Sequence, residues 1–516
     1  MAPQFVAWGH FAFFTLDFCP SNLQNWSMRK VIAVALTTVL ITGTFTTVAS
    51  AAAPKAGAKC TKLNQTQSVD GSKFTCVKSG TKLVWKKTVV AATQSKPAFE
   101  FRSVCDFDPE SPTEWYRTEL FLSFITCTSF YKYVPYLLPD TKPADAITPT
   151  NELGNIEECK IQQPSGQFYP WRGFAKDSQM QNYYSIYASP RPKMIIQVIP
   201  VTWADLRYSG APQKDYGHYF KFFEEWIKNS ADNGADIQIR VPEKYYSLPK
   251  NLDSYKDIEK HGQPTPDRKV FWSDSVAATD PYINFSGTTL GILVVPPTTP
   301  IAKFGGNPDG SGNSSEGYIP HILSVPPINL EVSHPNSQLS TPHMWMHEMS
   351  HAGLDIGDYY NSGIWGSVGS GQLDQLGWDK YIEGFMNDAQ IRCAPADRTT
   401  THWIVPSAAK GPYQKLVVVP LSQSKVLVVE SMRSAGYNYK LPKNNQGALV
   451  YTVDVSKTAH GEGTDVYRPD NRPFEPRDGR KVDAPLKKGE SITVSGVKIS
   501  VINSGTFGDV IKVEKQ

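Results

Sequence analysis

Five consecutive residues, His347-Glu348-Met349-Ser350-His351, carry the side chains of this chain best suited to chemistry. On a helix, two histidines four apart lie one turn from each other and project from the same face. Their imidazoles can then converge on one metal at about 2.0–2.1 Å, the Zn–N bond length. Glu348, next to the first histidine, falls beside the remaining coordination position, where a metal-activated water needs a general base. A catalytic zinc takes three protein ligands and leaves one position open, so a third ligand is required. Asp355 and Asp358 are the near candidates. If the helix ran on, Asp358 would lie about 10 Å beyond His351 along the axis, at 1.5 Å per residue. No single carboxylate spans that gap, so the helix must end soon after His351. Gly353 and Gly357 are the expected break points, because glycine readily takes the left-handed conformation that ends helices.

The elements that must position these residues are legible nearby. Thr341-Pro342 is a helix start, with a hydroxyl for the N-cap and proline at the first helical position. Met344, Trp345 and Met349 supply the apolar bulk that buries such a helix. Upstream, 193–198 reads as a strand, 219–228 as an amphipathic helix, 236–241 as an alternating strand and 288–295 as a buried strand. The glycine-, serine- and asparagine-rich run 305–317 reads as a loop. Its Asp309 and Asn313 are oxygen donors of the kind calcium takes, but their spacing does not match the EF-hand pattern. A strand over 322–332 leads to the zinc helix, and 373–387 reads as a further helix.

The segment HEMSHAGLDIGDYY from His347, followed by WGSVGSGQLDQLGWDKYIEGF from Trp365, resembles the secreted immune inhibitor A metallopeptidases, relatives of the metzincins. The run from Tyr219 to Ile227 and that from Asp236 to Pro242 are similar to the family's helix and strand ahead of the catalytic helix. The resemblance covers roughly residues 190 to 455. It implies a zinc endopeptidase with His347, His351 and an aspartate as ligands and Glu348 as general base. Two residues depart from the family pattern. Asp358 comes seven after His351, where the family has six, and Val368 stands where the family has the methionine beneath the metal. Asp358 is favoured over Asp355, because Tyr359 follows it much as an aromatic follows in the family. Glu383 is the alternative third ligand if the chain is instead a gluzincin-type hydrolase. Tyr359, Tyr360 and His343 are within sequence reach for holding an oxyanion.

At 516 residues with 40% hydrophobic, 12% aromatic and 20% charged residues, the composition is globular, with room for two or three domains. A net charge of +3, with no lysine-arginine block beyond short pairs, gives no ground for a nucleic-acid partner. Residues 1–27 have no recognisable role and read as a non-native extension. Residues 28–53 then run basic, apolar and small-x-small, the order of a secretory signal peptide. Beyond Cys19 there remain Cys60, Cys76, Cys105, Cys127, Cys159 and Cys393, an even number suited to an oxidising compartment. Cys60–Cys76 is the expected bridge, inside a lysine-rich piece over 54–92 that is too small to build much core. That piece, with its terminal Leu83-Val84-Trp85 strand, resembles a short module near the N-terminus of secreted actinobacterial proteins.

The expected architecture is α+β. A metzincin-like peptidase domain over 98–400 (core about 190–400) has a mixed sheet and the HExxH helix. A β-sandwich-like domain over 401–516 follows, its strands starting near 415, 425, 448, 491, 497 and 510, with a long polar loop over 457–483. The expected activity is extracellular hydrolysis of peptide bonds in protein or peptide substrates, with zinc as cofactor and no stable membrane span after signal cleavage. A catalytically impaired pseudopeptidase that binds at the cell surface is the other reading.

Overall fold

The computed structural model describes residues 55–69, 72–88, 133–139, 142–145, 150–167, 170–178, 193–232, 234–255, 266–299, 307–325, 342–353, 356–359, 361–369, 373–439, 441, 443–459, 461–469, 472 and 481–516. The signal-like segment, Cys19, Cys105, Cys127, Asp355 and Tyr360 lie outside these residues, as do the side chains of His343 and Asp309. The described residues form two compact units, 55–88 and 133–516. Among them no helix is long and apolar enough to cross a membrane.

The small unit is a three-stranded antiparallel sheet: β1 (Thr66–Val69), β2 (Ser72–Ser79) and β3 (Lys82–Thr88). Its core is Phe74, Trp85 and the Cys60–Cys76 disulfide. Covalent closure is the expected substitute for so little apolar burial.

The larger unit is mixed α and β and mostly sheet. Its chain runs β4 (Lys193–Thr202), α1 (Pro212–Ser230), β5 (Asp236–Arg240), β6 (Tyr246–Ser247), α2 (Pro266–Thr279), β7 (Leu290–Val294), β8 (Asn307–Ser314) and β9 (Gly317–Ser324). The sheet order is β5-β4-β7-β9-β8, parallel except for β8 against β9, with β6 pairing the end of β4. β4 alternates between two cores. Met194, Ile196 and Val198 face α1, while Ile199 and Val201 join Phe271, Trp272 and Val276 of α2. Helices on both faces explain why β4 and β7 are almost continuously apolar. α1 starts with proline at its first turn and buries Tyr216, Tyr219, Phe223, Trp226 and Ile227 along one stripe.

Three expectations need correction here. The run 305–317 is not a loop: its described part forms most of the β8–β9 hairpin. Its glycines give close approach, since a Cβ at Gly310 would meet the Ile322 carbonyl oxygen at 2.3 Å and one at Gly312 would meet Val276 Cγ2 at 2.7 Å. The helix over 373–387 is much shorter, because α4 spans only Gly377–Ile382. Gly384, at φ +75, takes the left-handed conformation two residues beyond it. The strand expected from residue 322 is already running at Gly317.

Before α4 comes α3 (Pro342–Ala352), and after it nine more strands. One sheet joins β10 (Ile391–Cys393), β12 (Leu416–Pro420), β13 (Lys425–Met432), β14 (Gly447–Asp454) and β15 (Thr464–Tyr467). The other joins β11 (Thr400–Ile404), β18 (Gly508–Lys515), β17 (Val497–Gly505) and β16 (Ser491–Val494). β15 lies within the run expected to be a long loop. The five-stranded sheet is a shared wall. Val417, Val419, Leu427 and Val429 pack with the four-stranded sheet, whereas Leu416, Val418, Val426 and Val428 belong to the same core as α1 and α3. That two-faced alternation follows from the period of two along a strand. A Cys159–Cys393 disulfide ties the start of β10's sheet to residue 159.

Candidate metal centre

α3 carries the histidine pair. Trp345 stacks on Tyr219 of α1 at 4.5 Å between ring centroids, and Met346, Met349 and Ala352 are buried beside it. This apolar stripe turns His347 and His351 toward each other's side, with Nε2 atoms 3.1 Å apart. The helix ends at Ala352, and the Gly353 N–H donates to the Met349 carbonyl at 2.7 Å. Neither Gly353 nor Gly357 takes the left-handed conformation expected of it. A Cβ at Gly357 would meet Pro170 Cβ at 2.5 Å, so only glycine lets the chain pass there.

The returning chain brings in Asp358. Its Oδ1 lies 3.6 Å from His347 Nε2 and 3.4 Å from His351 Nε2. These three are the one group of potential metal-ligating side chains of this kind among the described residues. Edges of 3.1, 3.4 and 3.6 Å bracket the roughly 3.3 Å edge of a tetrahedron with 2.0–2.1 Å bonds. The outer nitrogens are also engaged. His347 Nδ1 lies 3.0 Å from the Ser367 carbonyl oxygen and His351 Nδ1 lies 2.6 Å from that of Ile356. A carbonyl accepts, so both Nδ1 atoms carry a proton and both Nε2 atoms are turned inward, as metal-ligating imidazoles require.

The electrostatics calls for positive charge at this point. Burial works against a charged His351, but the Asp358 carboxylate outweighs it and raises the pKa, with a further contribution from Glu348. Burial and the neighbouring His351 charge push His347 down. Asp358 thus favours one positive charge between the three groups, which a proton on His351 Nε2 or a cation can supply. Two imidazoles and one carboxylate with ligand atoms this close could hold a metal ion. Glu348 is fully buried beside His351.

The other sequence candidates fall elsewhere. Glu383 lies outside the metal-ligating group and accepts from Gln375 Nε2 at 3.2 Å. Tyr359 is buried and its hydroxyl donates to Asp379 Oδ1 at 2.6 Å, which turns it away from any oxyanion role. Val368 is buried in the main core, one residue after the Ser367 carbonyl that orients His347. Sequence reasoning missed Ser350 and Ser367. Their hydroxyls are 2.9 Å apart, and Ser350 Oγ also donates to the Met346 carbonyl, linking α3 to the turn that holds His347. The serine spacing carries no signal for this, because the contact joins residues 17 apart. No known family model matches this chain, and no curated protein matches it.

Proposed function

We propose that the chain is a secreted zinc-dependent endopeptidase of the metzincin kind, with His347, His351 and Asp358 as the residues that would hold the ion. The supporting observation is the inward convergence of two Nε2 atoms and one carboxylate oxygen, with both Nδ1 atoms on backbone carbonyls. Bound zinc would supply a Lewis acid that acidifies water toward neutrality and polarises a peptide carbonyl. Glu348 is the base that takes the water's proton and returns it to the leaving amine. Asp358 balances positive charge at the centre, and the Ser367 and Ile356 carbonyls hold each imidazole in the ligating tautomer. The signal-like N-terminus and two disulfides support an extracellular setting.

A non-catalytic metal-binding role is the second reading, favoured by the complete burial of Glu348 and by Val368. Zinc analysis of the purified protein, with casein cleavage by wild type and Glu348→Ala, separates the two. The expected result is zinc in both proteins and cleavage by wild type alone. Zinc without cleavage by wild type would sink the peptidase and leave the binding role. A wild type that takes up no zinc would sink both.

A further inference from the structure

Asp358 does not reach the histidines unaided. It sits in the arm of chain that follows α3, of which residues 356–359 are described, ahead of 361–369. Neighbouring residues of an extended segment project to opposite sides. Asp358 faces the imidazoles, and Tyr359 is buried in the main core with 3% of its surface exposed. The Tyr359 hydroxyl donates to Asp379 on α4 at 2.6 Å, joining residues 20 apart. Its backbone bridges Gly461, and its carbonyl accepts from both the amide and the hydroxyl of Ser362. At the other end the Ile356 carbonyl is held by His351 itself.

We propose that Tyr359 and Asp379 are positioning residues for the metal ligand Asp358. Asp379 fixes the Tyr359 ring, and the ring fixes the backbone that presents the Asp358 carboxylate to His347 and His351. The proposal rests on the reading of this site as a metal centre. It explains how an aspartate seven residues past the second histidine arrives at bonding range. The arm is set by an anchor on its far side, so its length need not match that of a tighter turn. Tyr359→Phe keeps the ring and deletes only the hydroxyl; Asp379→Asn keeps the acceptor oxygen but removes its charge.

The test uses the full chain as wild type, Tyr359→Phe, Asp379→Asn and, for reference, Asp358→Asn. Zinc affinity is measured by chelator competition, and amide hydrogen exchange is measured on the zinc-free proteins. Tyr359→Phe and Asp379→Asn are expected to weaken zinc binding by about tenfold, as loss of an outer partner does, and Asp358→Asn by more. Exchange should quicken at 356–359 and stay unchanged along α3. Unchanged zinc affinity with a lower urea midpoint would show a merely structural role and overturn the proposal. So would exchange that quickens equally throughout the unit. If wild type binds no zinc, the metal reading fails separately, and exchange at 356–359 then decides the positioning role by itself.

Discussion

Helix α3 holds His347 and His351 in register through its own backbone, whereas Asp358 is carried by its chain neighbours, Gly357 passing against Pro170 and Tyr359 meeting Val368, Asp379 and Gly461. The first arrangement is local. Two residues four apart on a helix face one way whatever surrounds them, provided an apolar stripe buries the helix. The second is wholly tertiary, since those four contacts come from as far as residues 170 and 461. Damage to the helix pair should therefore abolish the site, and damage to the arm should loosen it by degrees.

The largest effects belong to the pair. His347→Ala or His351→Ala is expected to reduce zinc stoichiometry from one to near zero by metal analysis, with the fold intact by circular dichroism. Glu348→Gln should keep zinc and lower kcat/KM on a peptide substrate by about 10²–10⁴, the range for loss of a general base. Asp358→Asn should leave a weak site, at least about tenfold poorer in zinc affinity by chelator competition. If Asp358→Asn kept wild-type affinity, the arm would not be a ligand at all and the comparison would collapse.

What the sequence disclosed follows the same division. α1 is readable from its buried stripe, β5 from its alternation, and β4 and β7 from nearly continuous apolar runs. β8 was not, because Asn307-Pro-Asp-Gly-Ser-Gly-Asn-Ser has a loop's composition. It is a strand because α2 packs down on glycines that leave room for Trp272 and Val276. α2 was missed for the complementary reason: only Phe271, Trp272 and Val276 mark its buried side within a polar stretch. At the site, HExxH showed itself through spacing. The choice of Asp358 leaned on a resemblance, and the contacts that seat it, such as the Ser367 carbonyl on His347, belong to backbone atoms that no side-chain pattern encodes.

Intermediate effects come from the arm's supports. Gly357→Ala places a methyl 2.5 Å from Pro170 Cβ, and overpacking of this kind costs about 1–3 kcal/mol. Its urea midpoint should fall and its zinc affinity with it. The buried carboxyls behind the arm add a pH dependence. Burial raises Asp379 to about 7, against the hydrogen bond from Tyr359, and raises Glu430 to about 7, against the one from the Gly377 N–H. Folded-state values above the unfolded 3.8 and 4.5 mean that the folded chain binds the extra protons. Their stabilisation is complete below about pH 4 and is lost as pH rises through about 7. The zinc-free protein's urea midpoint should thus be higher at pH 5 than at pH 8, and Asp379→Asn with Glu430→Gln should flatten that difference.

The smallest effect is expected at Glu383, and its smallness is informative. A gluzincin-type site would take its third ligand from a glutamate on a helix downstream of the histidines, and Glu383 caps α4 in that position. Its carboxylate is buried, accepts from Gln375 Nε2, and lies outside the group formed by His347, His351 and Asp358. Glu383→Gln keeps the shape and an acceptor oxygen, so zinc affinity should change by less than about twofold, against the 10- to 100-fold typical even of outer partners. A loss as large as that of Asp358→Asn would exchange the roles of the two carboxylates. The third ligand would then come from a helix, as local in its support as the histidines, and the contrast between helix and arm would no longer describe this centre.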